Sequence, residues 1–162
     1  MKRRAALAAA GLLACSIAGA APALTPCRLD GIEHEARCGQ VERPLDPQQP
    51  RGTRITVHYA VLPALARNKQ PDPVFFFAGG PGQSSIELAG PISGMLSRFL
   101  NRRDVVLIDQ RGTGRSAPLL CDEPPAAAPL AEAADNARVL AQLQACRSKL
   151  QALPYGDLRR FT

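Results

Sequence analysis

Residues 74–82 read Val-Phe-Phe-Phe-Ala-Gly-Gly-Pro-Gly, an apolar run that stops abruptly in a glycine-rich turn. The run has no polar face, which is typical of a strand buried on both sides of a parallel sheet. We therefore predict a central strand over 74–77 that is covered on both faces. Glycines allow the chain to turn sharply after this strand, because they have no β-carbon.

A helix and a second apolar strand follow this turn. Apolar residues recur at helical spacing over 92–100, and the side chains of 101–103 supply donors and positive charge for the C-terminal end of a helix. The run Val-Val-Leu-Ile-Asp at 105–109 predicts a second buried strand. Strand, helix and strand in this order form a βαβ unit, with parallel strands and a right-handed crossover. The chain is therefore predicted to have an α/β fold.

Residues 54–62, upstream of this unit, alternate between apolar and more polar side chains. Period two and β-branching predict a half-buried strand. Its apolar face would be formed by Ile55, Val57, Tyr59 and Val61. A shorter extended segment is predicted over 32–41, and the proline-rich run 44–50 is predicted to be a loop.

A long alanine-rich helix is predicted downstream, over 129–153, after a proline- and alanine-rich linker at 123–129. Its larger apolar residues fall on one stripe, which we expect to face inward. The stripe consists of Leu140, Leu143, Cys146, Leu150 and Leu153.

The length of 162 residues limits the chain to one domain. Its formal net charge of +6 falls to +3 without the three basic residues at positions 2–4. This small excess is spread along the chain, so the sequence has no clustered basic stripe of the kind that neutralises phosphates. Nucleic acid is therefore not an expected partner.

The segment 1–23 has the order of an export signal. Basic residues at 2–4 precede an apolar stretch at 5–14 and small residues at 18–23. The apolar stretch is shorter than the roughly 20 residues that span a bilayer. A buried N-terminal helix is the alternative, but the leading charges and the absence of a polar face fit it poorly.

The cleavage site of this signal has two interpretations. The run Leu-Leu-Ala-Cys at 12–15 resembles the lipobox of bacterial lipoproteins, which makes Cys15 a candidate for lipidation. Soluble export is the other interpretation. In both cases residues 24–162 are expected to be exported, to the periplasm, to the outer membrane as a lipoprotein, or out of the cell. A membrane would be contacted only through the lipid.

Four further cysteines, an even number, favour structural disulfides in an oxidising compartment. Three connectivities are possible, and the local one closes short loops without long-range docking. It joins Cys27 to Cys38 and Cys121 to Cys146. A zinc site is the alternative, but no Cys-x2-Cys occurs and no histidine lies near Cys121 or Cys146 in the sequence. We expect no metal and no organic cofactor.

The first glycine motif, Gly79-Gly80-Pro81-Gly82, follows a predicted strand. Enzymes with α/β folds place ligands at the carboxyl ends of their strands. Backbone N–H groups in such a turn can approach a substrate closely and stabilise a developing oxyanion. A plain tight turn before a helix is the alternative interpretation.

The second motif, residues 109–117, reads Asp-Gln-Arg-Gly-Thr-Gly-Arg-Ser-Ala and also follows a strand. Its Gly-x-Gly-x-x-Ala pattern is similar to the dinucleotide-binding fingerprint, so a nucleotide-binding enzyme is an alternative. That fingerprint requires a helix beginning at its glycines. The prolines at 118, 124 and 125 disfavour such a helix.

Together, the two motifs resemble the N-terminal part of the α/β-hydrolase superfamily, in the branch of secreted proline iminopeptidases and tripeptidyl aminopeptidases. The resemblance covers roughly residues 36–162. It includes Arg-Cys-Gly-x-Val-x-x-Pro-Leu-Asp-Pro, which begins at residue 37. The resemblance implies that Gly79, Gly80, Pro81 and Gly82 form the oxyanion-hole loop. It also implies that Asp109, Gln110, Arg111, Gly112 and Gly114 shape a loop beside the active site, outside the catalytic triad.

Two departures from the family pattern accompany this resemblance. Ala78 stands where family members usually have His or Asn, which leaves the backbone donors intact. The triad order on this scaffold is Ser, then an acid, then His. The only histidines, His34 and His58, precede the βαβ unit, and Gly82-Gln83-Ser84-Ser85-Ile86 lacks the second glycine of a nucleophile elbow.

The resemblance therefore implies a partial hydrolase domain over 24–162 that stops before the nucleophile elbow. We expect the N-terminal fragment of an exported serine hydrolase, most simply an aminopeptidase acting on short peptides. The chain as given is expected to be inactive. A non-enzymatic envelope lipoprotein or binding module on the same scaffold is the alternative. Residues 105–109, or a neighbouring strand, would form an uncovered apolar edge prone to self-association.

Overall fold

A computed structural model describes residues 23–80, 82–122 and 135–161. Its centre is one mixed five-stranded sheet with the order β1-β2-β3-β5-β4. The strands are β1 (Thr25–Cys27), β2 (Ala36–Pro44), β3 (Arg54–Leu62), β4 (Val74–Phe76) and β5 (Val105–Ile108). The helices are α1 (Ala89–Leu100) and α2 (Asn136–Gln151), and a 3₁₀ turn spans Leu158–Phe161.

The predicted βαβ unit is confirmed. Strand β4 pairs with β5 in parallel, with Val74 opposite Val105, and α1 connects the two strands. The other pairs in the sheet are antiparallel: β1 with β2, β2 with β3, and β3 with β5. The described residues therefore form a mixed sheet, which is compatible with part of an α/β fold.

The predicted strand over 54–62 is confirmed with the same bounds. Its predicted apolar face is only partly correct, because the strand buries residues on both faces. Ile55 belongs to a small cluster with Leu45 and Ala117, whereas Leu62 packs on the opposite face, in the main core beneath α1. The alternating pattern missed this second face because Ala60 and Leu62 stand among its more polar positions.

The prediction of a central, doubly covered strand at 74–77 is wrong for the described residues. Strand β4 is at the edge of the sheet, and the side chains of Phe75 and Phe77 are 56% and 53% exposed. Helix α1 covers one face of β4, where Val74 and Phe76 pack against the core. The open apolar edge is therefore β4, whereas β5 is paired on both sides.

The segment over 32–41 is extended only from Ala36 onwards. Residues before it lie in the loop closed by the Cys27–Cys38 disulfide. This loop approaches α1 closely, since a β-carbon on Gly31, whose φ is +72°, would lie 2.8 Å from Gly90 Cα. Strand β2 also extends through Pro44, so the predicted loop begins one residue later than expected.

Helix α2 is shorter and more exposed than its sequence pattern predicted. It begins at Asn136, where the carboxylate of Asp135 accepts hydrogen bonds from the N–H groups of Ala137 and Arg138, and it ends at Gln151. It buries no residue, and Leu140 and Leu143 are 56% and 61% exposed. The inward-facing stripe is therefore a wrong prediction for Leu140 and Leu143, whereas Cys146, Leu150 and Leu153 are partly buried. The predicted linker and the helix start at 129 lie outside the described residues.

Both predicted disulfides are present, Cys27–Cys38 and Cys121–Cys146. In the part of the chain that the structure describes, no helix is long and apolar enough to cross a membrane. The predicted signal at 1–23, including Cys15, lies outside the described residues.

Candidate functional site

Two turns meet at the carboxyl ends of β4 and β5. We call residues 78–82 the glycine loop and residues 110–117 the second turn. Asp109, the residue directly after β5, lies between them and is 1% exposed. Adjacent parallel strands end at the same edge of a sheet, which is why two motifs that are distant in the sequence lie side by side.

The carboxylate of Asp109 makes hydrogen bonds to both sides of this junction. Its Oδ1 accepts from the hydroxyl of Ser84 at 2.7 Å and from the N–H of Ile86 at 3.1 Å. Its Oδ2 accepts from the N–H of Arg115 at 3.2 Å. A buried carboxylate requires such donors, because its charge has lost the solvation of water.

The serine pair after the glycine loop holds its ends. Ser85 Oγ accepts a hydrogen bond from the N–H of Ala78 at 2.9 Å, and Ser84 Oγ accepts from the N–H of Glu87 at 3.1 Å. Ser84 and Ser85 are 5% and 1% exposed. A buried hydroxyl already bonded to a carboxylate and a backbone N–H supports the loop and is not presented to a substrate.

The tip of the glycine loop presents backbone donors. Gly79, Gly80 and Gly82 are exposed, and within the described residues their N–H groups donate no hydrogen bond. Gly80 and Gly82 have φ values of +86° and +91°, a conformation that residues with a β-carbon rarely adopt. Pro81 lies outside the described residues. The loop therefore has the free N–H groups that an oxyanion site requires.

The second turn is not followed by a helix. Thr113 and Ser116 form an isolated bridge, Gly112 N–H donates to Ser116 O at 2.8 Å, and Ala117 has a φ of +51°. Residues 110–122 contain turns and bends, so the helix that a dinucleotide fingerprint requires at Gly112 is not formed there.

Side chains of the second motif have different surroundings. Gln110 Nε2 donates to the carbonyl of Ala78 at 3.5 Å, a long hydrogen bond, and so reaches the glycine loop. Arg111 donates to the carbonyl of Leu45 at 2.9 Å. Leu45 belongs to the small cluster that it forms with Ile55 and Ala117. Gly114 lies against the carboxylate of Asp109, where a β-carbon would be 2.6 Å from Cγ.

A shallow depression of about 490 Å³ opens beside these turns. Its walls are formed by Val57, Phe77, Ile108, Asp109, Gln110, Arg111 and Phe161. Its lining includes Phe77, the residue before the glycine loop, and Gln110 and Arg111 of the second turn, but no described residue of the glycine loop itself.

Among the described residues, no hydrogen bond joins either histidine to the glycine loop. The N–H of His58 donates to Ser116 Oγ at 2.8 Å, and its carbonyl accepts from Asp109 N–H, so the contacts of this residue with the site are made by its backbone. His58 Nδ1 is buried and makes no hydrogen bond within the described residues. His34 is exposed on the disulfide loop. No group of three or more metal-ligating side chains occurs among the residues that the structure describes.

The sequence identified both motifs at this site but missed the role of Ser84 and Ser85. In the sequence they form only part of an incomplete nucleophile elbow. In the structure their hydroxyl groups make hydrogen bonds that hold the glycine loop. The available signal was a pair of hydroxyl side chains separated from Gly82 by Gln83 alone, because short side chains there can bond to nearby backbone groups.

Comparisons with known proteins support a hydrolase relationship. No protein-family model matches the chain. A stretch of 87 residues is 32% identical to a protein named as a hydrolase in Mycobacterium bovis, and to carboxylesterase B in two strains of Mycobacterium tuberculosis. The alignment covers 52% of this chain but 16% of each relative. These names support a hydrolase fragment and give no support to an aminopeptidase in particular.

Proposed function

We propose that this chain is the N-terminal part of an exported serine hydrolase, in which the glycine loop stabilises the oxyanion of an acyl-transfer reaction. The observation that carries the proposal is the set of exposed N–H groups of Gly79, Gly80 and Gly82 at the end of β4, beside an open depression. The hydrolase names of the relatives agree with this role.

The chemistry of the loop follows from where charge develops. When a serine hydroxyl attacks an ester or amide carbonyl, the carbonyl π electrons move to the oxygen and a base takes the serine proton. Backbone N–H groups at 2.7–3.1 Å from that oxygen stabilise the transition state, each by roughly 10² to 10³ in rate. In this proposal Gly79, Gly80 and Gly82 supply the donors, whereas the serine, acid and histidine come from another part of the enzyme.

Short peptides with a free N-terminus are the proposed substrates, because the paired motifs resemble those of exported aminopeptidases. The relatives are named as a hydrolase and as carboxylesterases, which makes a carboxylic ester the second candidate substrate. Both reactions pass through the same tetrahedral oxyanion, so the glycine loop would serve either one.

Export is part of the proposal. Two disulfides in the described residues are compatible with an oxidising compartment. The segment 1–23 would direct the chain there, either cut to a soluble form or retained by a lipid on Cys15.

The first experiment is to isolate the natural protein from the cell envelope, measure its intact mass and treat it with a fluorophosphonate. We expect a species far heavier than this chain alone, which is labelled on serine and hydrolyses aminoacyl anilides or nitrophenyl esters. The recombinant chain over 1–162 should remain unlabelled. A natural product no heavier than this chain that resists labelling would instead favour a binding module.

The role of the loop is tested by removing one donor from the labelled species. Gly79→Pro eliminates the N–H, whereas Gly79→Ala keeps it and places its β-carbon where no atom lies within 4 Å. We expect kcat to fall roughly 10² to 10³-fold in Gly79→Pro and to change little in Gly79→Ala. Equal activity in the two variants would remove Gly79 N–H from the oxyanion site.

A further inference from the structure

The structure connects the two glycine motifs through one buried carboxylate, and we propose that Asp109 is the positioning residue of the glycine loop. This inference rests on the proposed function. In it, Asp109 of the second motif holds the glycine loop of the first motif in place. Asp109 does not contact substrate; it fixes the loop whose N–H groups would do so.

Asp109 divides its two oxygens between the two motifs. Oδ1 accepts from Ser84 and Ile86, which follow the glycine loop, and Oδ2 accepts from Arg115 in the second turn. Since Asp109 is 1% exposed, its buried oxygens depend on these donors: loss of Arg115 N–H would remove the donor to Oδ2, and loss of Ser84 would halve the donors to Oδ1. The loop and the turn are therefore held at one fixed distance from the end of β5.

The same contacts leave the tip of the loop free while its ends are held. Ser84 is anchored by Asp109, and Ser85 Oγ accepts from Ala78 N–H, so residues 78 and 84 are both fixed. Between them, the N–H groups of Gly79, Gly80 and Gly82 have no internal partner among the described residues, whereas Gln83 N–H donates to the carbonyl of Gly80 at 3.2 Å. Donors that are already oriented need no reorganisation when charge develops, which is the condition for strong oxyanion stabilisation.

The glycine at position 114 is explained by the same carboxylate. A β-carbon there would lie 2.8 Å from Ser84 Oγ and closer still to the Asp109 carboxylate, and the φ of this residue is +48°. The second turn must therefore contain glycine at this position for Asp109 to reach both motifs.

Asp104 provides a matched control at the opposite end of β5. It also accepts a backbone hydrogen bond, from Ala64 at 2.9 Å, and a second bond from a side chain, Lys69. Among the described residues, no hydrogen bond or ion pair joins it to the glycine loop. Asp104→Asn and Asp109→Asn make the same chemical change at the two ends of β5. A difference between the effects of the two variants on the glycine loop therefore depends on which end of the strand is changed.

The first test measures amide hydrogen exchange in the chain over 1–162. We expect Asp109→Asn to speed exchange at Ile86, Glu87 and Arg115 at least tenfold, whereas Asp104→Asn leaves these amides within about twofold of the parent chain. Equal acceleration in the two variants would overturn the proposal. If Asp109→Asn does not fold, Ser84→Ala is measured instead, and an unchanged rate at Glu87 and Ile86 would overturn it.

The second test uses the hydrolase-length natural enzyme. We expect Asp109→Asn to lower kcat at least tenfold with KM within about twofold, because substrate contacts are retained while the oxyanion donors lose their orientation. Asp104→Asn should change neither constant. If the enzyme is active and Asp109→Asn behaves like Asp104→Asn, the positioning role fails. If no fluorophosphonate-reactive enzyme exists, the proposed function fails, and the exchange test still decides whether Asp109 holds the loop.

Discussion

Helices α1 and α2 are attached to this protein by different forces. Helix α1 buries Ala89, Ile92 and Leu96 against the sheet, where Val105 and Leu107 are completely buried. Helix α2 buries no residue, although its sequence also carries apolar residues at helical spacing. An apolar stripe therefore indicates a capacity for packing, and only the fold determines whether a partner surface is opposite it.

Several contacts connect the C-terminal half of α2, and the residues after it, to the rest of the protein. In that half, the Cys121–Cys146 disulfide and the Lys149–Asp122 ion pair join the helix to the segment after the second turn. After the helix, Tyr155 and Phe161 pack against the small cluster around Ile55. We conclude that a covalent bond and the contacts after the helix position α2, whereas burial positions α1.

The largest expected effect that tests this contrast comes from the core. Leu107→Ala should destabilise the chain by about 2–5 kcal/mol, because it removes a fully buried side chain and leaves a cavity. Leu143→Ala on α2, at a side chain 61% exposed, should cost less than about 0.5 kcal/mol. Denaturant unfolding of both variants measures the difference, and similar costs would contradict the contrast.

The second effect is expected from the disulfide. Replacing Cys121 and Cys146 together by serine should lower the local stability of α2 by about 3 kcal/mol, given the 25-residue separation of the two cysteines. Hydrogen exchange in residues 136–151 should report this loss, while the unfolding midpoint of the sheet changes little. A sheet that loses as much stability as α2 would show that the two regions unfold as one unit.

A smaller effect on stability depends on pH. It distinguishes the Lys69–Asp104 ion pair beside the sheet from the Lys149–Asp122 ion pair of α2. Burial on its own raises the pKa of Asp104, but hydrogen bonds from Lys69 and Ala64 and the charges of Lys69 and Arg37 outweigh it and lower the pKa below 3.8. The ionised Asp104 carboxylate therefore stabilises the folded state fully well above pH 3.8. This contribution to the free energy of unfolding is lost as the pH falls through the lowered pKa of Asp104.

Asp104→Asn measures this contribution. The variant should cost about 1 kcal/mol at pH 7, and the cost should decrease at a pH below the folded pKa of Asp104. Asp122→Asn, at a carboxylate whose side chain is 90% exposed, is the control and should cost little stability at pH 7. A cost for Asp104→Asn that is constant from pH 7 to pH 2 would contradict the assignment.

The exposed edge of the sheet gives a fourth expectation. Strand β4 is unpaired on one side within the described residues and carries the exposed Phe75. We expect the chain to self-associate, and Phe75→Lys to reduce association with a stability change within about 0.5 kcal/mol, because charge on an edge strand opposes pairing. Sedimentation over a range of concentrations measures this, and a parent chain that stays monomeric would contradict it.

The smallest effect is expected from Lys149→Ala. The Lys149–Asp122 pair is exposed on both sides, so its loss should cost at most about 0.5 kcal/mol, and salt should remove even that. Thermal melting at low and high ionic strength is sufficient to measure it. A larger cost would mean that this ion pair, and not the disulfide, is what holds α2.

The sequence predicted the parts of the fold that local patterns determine. The bounds of β3, the βαβ unit and both disulfides are confirmed, because period, turn residues and cysteine spacing are local signals. The exposure of Phe75 and of α2 could not be predicted in this way. An apolar run indicates that burial is favourable, but the neighbour that would bury it is specified elsewhere in the chain.

The candidate site shows the same division. The two motifs were visible as glycine-rich turns after strands, which is a local pattern. The partnership of Asp109 with Ser84 and Arg115 depends on two strands ending side by side, and no spacing within either motif indicates it. The oxyanion role of residues 79–82 stays a prediction until the donors are tested.

The pairing of the disulfides has a consequence for biosynthesis. Of the four cysteines in the described residues, Cys27 bonds to the next one in sequence, Cys38, and Cys121 bonds to the next one after it, Cys146. Among these four cysteines, a chain that emerges N-terminus first into an oxidising compartment therefore meets each native partner before a non-native one is present. Oxidation in order of emergence then gives the native connectivity of these four without exchange of bonds between them.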